Sequence, residues 1–262
     1  VVDTSNGTAS LRGKIALPDL GSSYYGYGWG WYGCYAWDWY YGADVVQVGG
    51  NKLAFRRWLP QYNSSGDYVD ALQSLYVVDA SEPDAPSVAS AVITSDKNGW
   101  WGNMRAIGDQ LYTSHYDWQE QPRYDNASQS YYPGVVRYYI DHIDLTDASK
   151  PRVSQKINVP GILVGGSADD PSLIYTMDYH WDGTRTSNDL AVLKLQGDYA
   201  YLQGHVSIPG DTGGVFVQGS TAYFSAQTWN DDVGNQTSMR LYQVDLSDPH
   251  HPTVLPSQKT QN

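Results

Sequence analysis

The sequence predicts an all-β fold made of repeated four-stranded units, and three observations support this prediction. A strand that ends in Asp, one spacer residue and a hydroxyl residue recurs four times. A hairpin with a glycine-centred turn also recurs, and it precedes three of these strands. The composition of 23 Tyr and 10 Trp against 3 Met favours sheets over helices.

The recurring strand motif has a direct structural interpretation. Its copies are "VVDTS" from Val1, "YVVDAS" from Tyr76, "HIDLT" from His142 and "YQVDLS" from Tyr242. In the last three copies a proline follows seven residues after the Asp. The Asp and hydroxyl side chains can hydrogen-bond the local backbone and start a turn, and the proline fixes φ before the next strand. Each copy therefore predicts a strand, a turn and a second strand.

The hairpins complete the repeated unit. They are "DVVQVGGNKLAF" from Asp44, "NMRAIGDQLYTS" from Asn103 and "GVFVQGSTAYFSA" from Gly214, with a looser copy from Ile162. A degenerate copy of the strand motif has Lys194 where the Asp would stand. Four-stranded units of about 40–50 residues are typical of a β-propeller. A β-sandwich is the alternative, but it would not repeat one strand-pair signature.

The prediction is thus an all-β propeller of four-stranded antiparallel blades over residues 1–262, interrupted by an aromatic, glycine-rich insertion at 20–42. About four blades are visible, either as a ring of their own or as part of a larger one. The chain begins inside one copy of the strand motif and ends in the strand pair of another. We therefore expect it to be a piece of a longer protein.

Charge and composition exclude several classes of protein. The net charge of −12 argues against nucleic-acid binding, which needs a basic surface. No apolar run approaches the roughly 18 residues that a membrane span needs. The single cysteine, Cys34, permits no internal disulfide, and a bond from Cys34 to another chain is left open.

Three segments carry a resemblance to a known family. They are "RAIGDQLYTS", "YIDHIDLTDASKPRV" and "INVPG". Together they resemble the bacterial secreted β-propeller proteins that are distantly related to WD-repeat propellers. The resemblance runs from Asp44 to Pro256, is clearest from Asn103 to Gly161, and omits 20–42. It implies a propeller fold and a secreted or cell-surface location. It implies no catalytic residues, because this family shares none.

Binding is predicted on the connections between second and third strands and between successive units, because the sequence places all its long insertions there. These are residues 21–41, 58–71, 117–135, 181–188 and 229–238. The first insertion is rich in aromatic residues separated by glycines, which suits a carbohydrate or protein contact surface. A flap folded over its own propeller is the alternative. The candidate binding residues are Tyr25, Tyr27, Trp29, Trp31, Tyr35, Trp37, Trp39, Trp100 and Trp101.

Two short segments offer weak candidates for acid–base or metal chemistry. Alternation on a strand lets His115 and Asp117 point one way together, and Asp178 and His180 likewise. If their units are adjacent, the two pairs are expected to approach one another. Two acidic clusters are candidate Ca²⁺ ligands, although a solvated turn is the default interpretation of both. They are Asp169 with Asp170, and Asp231 with Asp232.

The sequence therefore predicts a non-catalytic, secreted or cell-surface propeller that binds a protein partner or a polysaccharide, with no cofactor. One alternative is a hydrolase or lyase that acts on a polysaccharide through the His and Asp residues. The other is a structural module whose aromatic insertion is covered by another chain or by the rest of its parent protein.

Overall fold

The structure is a computed structural model that describes residues 1–17, 45–94, 99–121, 123–132, 134–181, 186–209, 211–230 and 236–259. Strands make up 64% of the protein, and none of the described residues lies in a helix. The predicted all-β class with four-stranded antiparallel sheets is confirmed.

Four four-stranded antiparallel sheets account for most of the described chain. The first sheet contains β3 (Val45–Val48), β4 (Lys52–Tyr62), β5 (Tyr68–Asp79) and β6 (Ser87–Thr94). The second contains β7 (Gly99–Ile107), β8 (Gln110–Glu120), β11 (Val135–Asp144) and β12 (Arg152–Val159). The third contains β13 (Ile162–Gly166), β14 (Leu173–Trp181), β15 (Thr186–Gln196) and β16 (Tyr199–Pro209). The fourth contains β17 (Asp211–Gln218), β18 (Thr221–Asn230), β19 (Gln236–Asp245) and β20 (Thr253–Lys259).

Two small hairpins complete the described strands. One pairs β1 (Val2–Asp3) with β2 (Ser10–Leu11), and the other pairs β9 (Arg123–Asp125) with β10 (Ser130–Tyr132). In every four-stranded sheet the strands lie side by side in chain order, so the second and third strands are central. This regular order is what a repeated hairpin followed by a repeated strand pair predicts.

The chain divides into two compact units. One contains residues 1–97 and 144–153, and the other contains residues 98–143 and 154–262. In the first unit, Leu75 and Ala54 are fully buried in the first sheet and Phe55 stacks on Tyr76. The terminal hairpin is held there by Arg12, whose guanidinium donates two hydrogen bonds of 2.6 Å to Asp84.

The second unit packs the third sheet between the second and the fourth. On β14, Ile174 lies in an apolar cluster with Ile140 of the second sheet. The adjacent Tyr175 lies in a cluster with Phe224 of the fourth sheet. Successive side chains of a strand point to opposite faces, so both faces of the third sheet are buried. This explains why "LAVL", from Leu190, is apolar without alternation.

The turn that the Asp motif predicts is present in all four copies. The amide of the residue two positions later donates to the Asp side chain, with N···O distances of 2.8 Å at Asp3 and 2.9 Å at Asp79, Asp144 and Asp245. The hydroxyl and the amide of that residue lower the pKa of each carboxyl; the hydroxyl is the larger cause at Asp79 and Asp144, and the amide is the larger cause at Asp3 and Asp245. The repeat therefore terminates strands by capping the local backbone.

Lys194 occupies the position of the missing Asp, as the sequence alignment of the repeats predicts. The amide after it donates to Ser172 O at 2.7 Å, as the amides after Asp79 and Asp245 donate to Asn51 O and Ser220 O. The Lys194 ammonium lies 2.6 Å from an Asp170 carboxylate oxygen. At this turn Lys194 thus forms an ion pair with Asp170, which lies in the connection between β13 and β14.

We expect Lys194→Met to raise the pKa of Asp170, whose value of about 2 lies below the ordinary 3.8 because of the Lys194 hydrogen bond first and Ser172 second. A carboxyl with a lowered pKa stabilises the fold above its unfolded value, and this contribution is lost as the pH falls through the folded value. The variant should therefore lose less stability than the parent between about pH 4 and 2.

NMR titration of the Asp170 carboxyl carbon measures the pKa directly, and thermal unfolding in the same pH range measures the stability. Lys150→Met is the matched control, because the exposed Lys150 ammonium lies 3.9 Å from an exposed carboxylate, that of Asp147, instead of Asp170. An unchanged Asp170 pKa in Lys194→Met would contradict the assignment.

The predicted loop insertions differ from the structure in one respect. Residues 58–71 were expected to form a loop, but β4 continues to Tyr62 and β5 begins at Tyr68. β3 pairs only with residues 52–55 of β4, so the two central strands continue as a ribbon. Trp58, Tyr62 and Val69 have high strand propensity, which explains why the segment pairs instead of looping.

The other described insertions show the same tendency. β8 extends to Glu120, β14 to Trp181 and β18 to Asn230. The segment 117–135 also holds the small β9–β10 hairpin. Within the described residues, the ends of the sheets that carry the predicted insertions are therefore largely strand.

Candidate binding site

His115 and Asp117 lie on β8 and point to the same face of the second sheet, as strand alternation predicts. His115 Nδ1 lies 2.7 Å from Asp141 Oδ2, and its ring stacks on Tyr139. Its Nε2 lies 4.0 Å from Asp117 Oδ1, which is too long for a hydrogen bond. The close polar partner of His115 is thus Asp141, a residue that the sequence analysis does not single out.

Charges of both signs meet around this histidine. Asp117 Oδ2 lies 3.3 Å from Lys156 Nζ, and Lys156 lies over the Tyr139 ring, 4.2 Å from its centroid. His115 is only 4% exposed and Asp141 3%. A general base must come within about 3 Å of the atom whose proton it removes, which requires that a substrate can reach it. This burial suits a polar network that holds the central strands together.

Asp178 lies on the opposite face of the second sheet. Its carboxylate accepts a hydrogen bond from Tyr138 of β11, and the next residue, Tyr139, stacks on His115. Because Tyr138 and Tyr139 point to opposite faces, β11 separates Asp178 from the His115–Asp117 pair. The prediction that the two pairs approach one another is therefore wrong for Asp178, His115 and Asp117. The side chain of His180 lies outside the described residues.

The physical reason lies in how the sheets pack. The third sheet covers the face of the second sheet that carries Tyr112, Tyr138 and Ile140. Side chains of β14 therefore reach that face only. Burial, followed by the charge and hydrogen bond of Asp178, raises the pKa of Tyr138. The phenol consequently stays protonated at neutral pH and donates to Asp178.

An open pocket of about 480 Å³ surrounds the Tyr138–Asp178 pair. It lies between the second and third sheets, where β8 ends and β11 begins. Tyr138 belongs to an aromatic group in which Tyr116 packs edge-on against both Trp118 and Tyr138. The lining consists of Gln119, Val135, Val136, Arg137, Tyr138, Asn158, Val159, Pro160 and Asp178.

The pocket combines polar and apolar groups. Asn158 Nδ2 donates to Tyr138 O at 2.7 Å, which fixes the amide at the rim. Gln119 and Asn158 are exposed, whereas Tyr138 and Asp178 are half-buried. The sequence analysis finds Asp178 but misses Tyr138, Asn158 and Gln119. The alternation of Tyr138 with the buried Ile140 marks the inward face of β11, but only the packing of β14 reveals its partner.

The calcium candidates have different outcomes. The Asp170 carboxylate already accepts hydrogen bonds from Lys194 Nζ and from the Ser172 hydroxyl, the latter at 2.5 Å. Asp169 is exposed. In the described ranges, no three His, Cys, Asp or Glu side chains group closely enough to hold a metal ion. Asp231 and Asp232 lie outside those ranges.

The aromatic candidates fall mostly outside the described residues. This applies to Tyr25, Tyr27, Trp29, Trp31, Tyr35, Trp37 and Trp39, and to Cys34. Trp100 and Trp101 lie on β7, where they pair with Tyr116 and His115, but their side chains are not among those described.

Comparison with known proteins assigns the chain to no family. No protein-family model matches the chain, and no curated protein shows a significant sequence match. Among the described residues, no helix is long and apolar enough to cross a membrane.

Proposed function

We propose that the chain forms part of a non-catalytic, secreted β-propeller that binds a polysaccharide at the end of its sheets where second strands connect to third strands. The observation that carries this proposal is the pocket around Tyr138 and Asp178, which opens at that end and joins aromatic, amide and carboxylate groups. Pockets of about 300–1,000 Å³ with a few convergent polar groups are typical ligand sites.

The repeated sheets support the propeller arrangement. Each four-stranded sheet has the same strand order, and each is a candidate blade. In the second unit, the first strand of the third sheet contacts the first strands of its two neighbours, β7 and β17. First strands that contact one another are expected around a propeller axis. The resemblance to bacterial secreted propellers supports both this arrangement and the extracellular location.

The charged groups support binding over catalysis. Asp141 is paired with His115, Asp117 with Lys156, and Asp178 with Tyr138. An acid–base mechanism needs two such groups on one reacting bond, but β11 separates Asp178 from His115 and Asp117.

The composition of the segment 25–39 also supports a carbohydrate ligand. Its tryptophan and tyrosine residues carry aromatic rings of the kind that stack on the apolar faces of sugars.

The proposal predicts that the protein retains polysaccharides without cutting them. Affinity electrophoresis in gels that contain galactomannan, mixed-linkage β-glucan, chitosan or alginate measures binding. Assays for new reducing ends and for unsaturated uronates measure cleavage in the same mixtures. We expect retardation in at least one gel and no products.

Products that disappear in His115→Gln would contradict the non-catalytic assignment and favour a hydrolase or lyase. Mobility that no polysaccharide changes would overturn polysaccharide binding and favour a protein partner. A propeller-like protein without a sugar-binding pocket is the matched negative control in every gel.

A further inference from the structure

We infer that the small hairpin β1–β2 is the outer half of a fifth four-stranded sheet, and that its open edge takes a β-hairpin of the same repeat from elsewhere in the parent protein. The incoming hairpin pairs with β1 and covers an exposed apolar face of the first sheet. This inference shares with the proposed function only the repeated sheets, and it makes no use of polysaccharide binding.

The strand motif identifies β1 as the third strand of a sheet. Asp79, Asp144 and Asp245 each end the third strand of their sheet, and that strand lies between two others. Asp3 ends β1 with the same turn, but among the described residues β1 pairs with β2 alone. An open strand edge presents N–H and C=O groups that can pair with another strand. β1 thus lacks the second-strand neighbour that the other three copies have.

The β1–β2 hairpin is fixed on the first sheet through Gly13, which follows β2. A Cβ atom at Gly13 would lie 2.4 Å from Pro83 O and 2.7 Å from Pro86 Cδ. The Val1 amino group donates to the Gly13 carbonyl. Gly13 therefore lies opposite the residue that stands two places before Asp3, and it packs closely on the Asp-to-Pro turn of the first sheet.

The third sheet meets the fourth sheet in the same way. Gly204 of β16 pairs with Val192, which stands two places before Lys194. A Cβ atom at Gly204 would lie 2.6 Å from Pro249 O and 2.8 Å from Pro252 Cδ. These two prolines hold the same positions in the repeat as the two that Gly13 approaches. The β1–β2 hairpin consequently packs on the first sheet as β15–β16, the outer half of the third sheet, packs on the fourth.

The inner half of the third sheet has no described counterpart beside β1, and apolar side chains are exposed as a result. In the fourth sheet, Ala222 is fully buried and Val215 is half-buried in a cluster that includes side chains of β13 and β14. Leu53 and Val45 hold the same repeat positions in the first sheet. They are 41% and 62% exposed. A hairpin equivalent to β13–β14 would cover both.

These positions define the hairpin that fits. It needs one strand that pairs with β1 and apolar side chains that face the first sheet, as Val164 and Tyr175 face the fourth. The fourth-sheet hairpin has this character, because Phe216 and Tyr223 pair on its outer face with ring centroids 6.3 Å apart.

A second copy of residues 1–262 is the less suitable donor. Each hairpin of the four described sheets is already paired with its own third strand. A second copy would therefore have to break one of its own sheets to donate a hairpin, whereas a further hairpin of the parent protein would not. The source that costs no existing pairing is the parent protein.

The test supplies the hairpin by fusion. Residues 211–242, joined directly to Val1, keep the spacing of the repeat, because Gln243 stands two places before Asp245 as Val1 does before Asp3. We expect the thermal unfolding midpoint to rise by about 5 °C over that of the unfused chain. The same fusion with one extra residue at the junction is the matched control. A one-residue shift turns the apolar face away from the first sheet, so this control should show no rise.

Thiol labelling measures the covered face directly. In a Cys34→Ser background, we expect the maleimide reaction of Leu53→Cys to slow at least about tenfold in the fusion and to stay unchanged in the shifted control. Tyr124→Cys, at a position 57% exposed on β9, controls for general changes in reactivity. A synthetic peptide of residues 211–230, added to the unfused Leu53→Cys chain, should give the same protection and keeps the test decisive if the fusion fails to fold.

Equal midpoints and equal Leu53→Cys labelling in both fusions would overturn the inference, and so would a peptide that gives no protection when the fusion fails to fold. Sedimentation velocity of the unfused chain tests the source of the hairpin. Dimers that Leu53→Asp dissociates would identify a second copy as the donor and overturn the assignment to the parent protein. Each of these outcomes leaves polysaccharide binding, which the gels measure separately, as it stands.

Discussion

Replacement of Gly161 with alanine is expected to lower the free energy of unfolding by about 3 kcal/mol or more. Gly161 is buried in the connection between β12 and β13, with φ of +79°. A Cβ atom there would lie 2.3 Å from the Met177 carbonyl carbon and oxygen. Backbone cannot move aside as a flexible side chain can, so strain in φ and a steric clash add together. Chemical denaturation of the purified variant measures the loss.

Gly50→Ala is the matched control for this prediction. Gly50 has nearly the same φ, +78°, but a Cβ atom there would meet nothing within 4 Å. It should therefore cost only the conformational strain, about 1 kcal/mol. Equal losses in the two variants would mean that the close approach of Gly161 to β14 does not exist. The pocket depends on this approach, because Pro160 and Asp178 line it on either side of the contact.

Asp141→Ala is expected to cost about 3 kcal/mol of stability, because it removes the buried carboxylate that lies 2.7 Å from His115 Nδ1 and so takes away the close polar partner of a buried ring. Asp141→Asn should cost less, about 1–2 kcal/mol, since an amide oxygen can still accept from the His115 ring but carries no charge. Urea denaturation gives both values. Polysaccharide binding by the folded fraction should be unchanged, because the pair lies on the face of the second sheet opposite the pocket.

Asp109→Asn, in an exposed turn, is the control for loss of an acidic residue and should be neutral within about 0.5 kcal/mol. A stability loss in Asp141→Ala no larger than the loss in Asp109→Asn would contradict the structural role of Asp141. If Asp141→Asn kept full stability but abolished an activity of the protein, the His115–Asp141 pair would have to be functional.

Local turn chemistry explains how much of the fold the sequence predicts. The turns after Asp79, Asp144 and Asp245 are predictable because each Asp side chain accepts a hydrogen bond from an amide only two residues later. Even Lys194 is correctly aligned, because the spacing of the repeat is independent of the residue at that position. The points at which the two central strands of a sheet end are harder to predict. In residues 58–71, polar residues and Pro60 suggest a loop, while pairing between β4 and β5 continues through them.

The candidate site was predictable only in part, since it depends on how sheets pack. The sequence indicates that His115 and Asp117 share a face, which is a property of one strand. It does not indicate that Asp178 meets Tyr138, because that contact joins β14 to β11 across two sheets. Nor does it reveal Asp141, whose partner lies on the neighbouring strand and two residues out of register.

The ribbon formed by β4 and β5 has a consequence for engineering. Its tip, residues 63–67, closes on itself: Asn63 Oδ1 accepts from the amides of Ser65 and Asp67, and the Asn63 carbonyl accepts from Gly66. Exposed tips of this kind tolerate inserted peptides well. The β4–β5 tip is therefore a suitable place to graft an epitope or a small reporter domain without disturbing the paired strands.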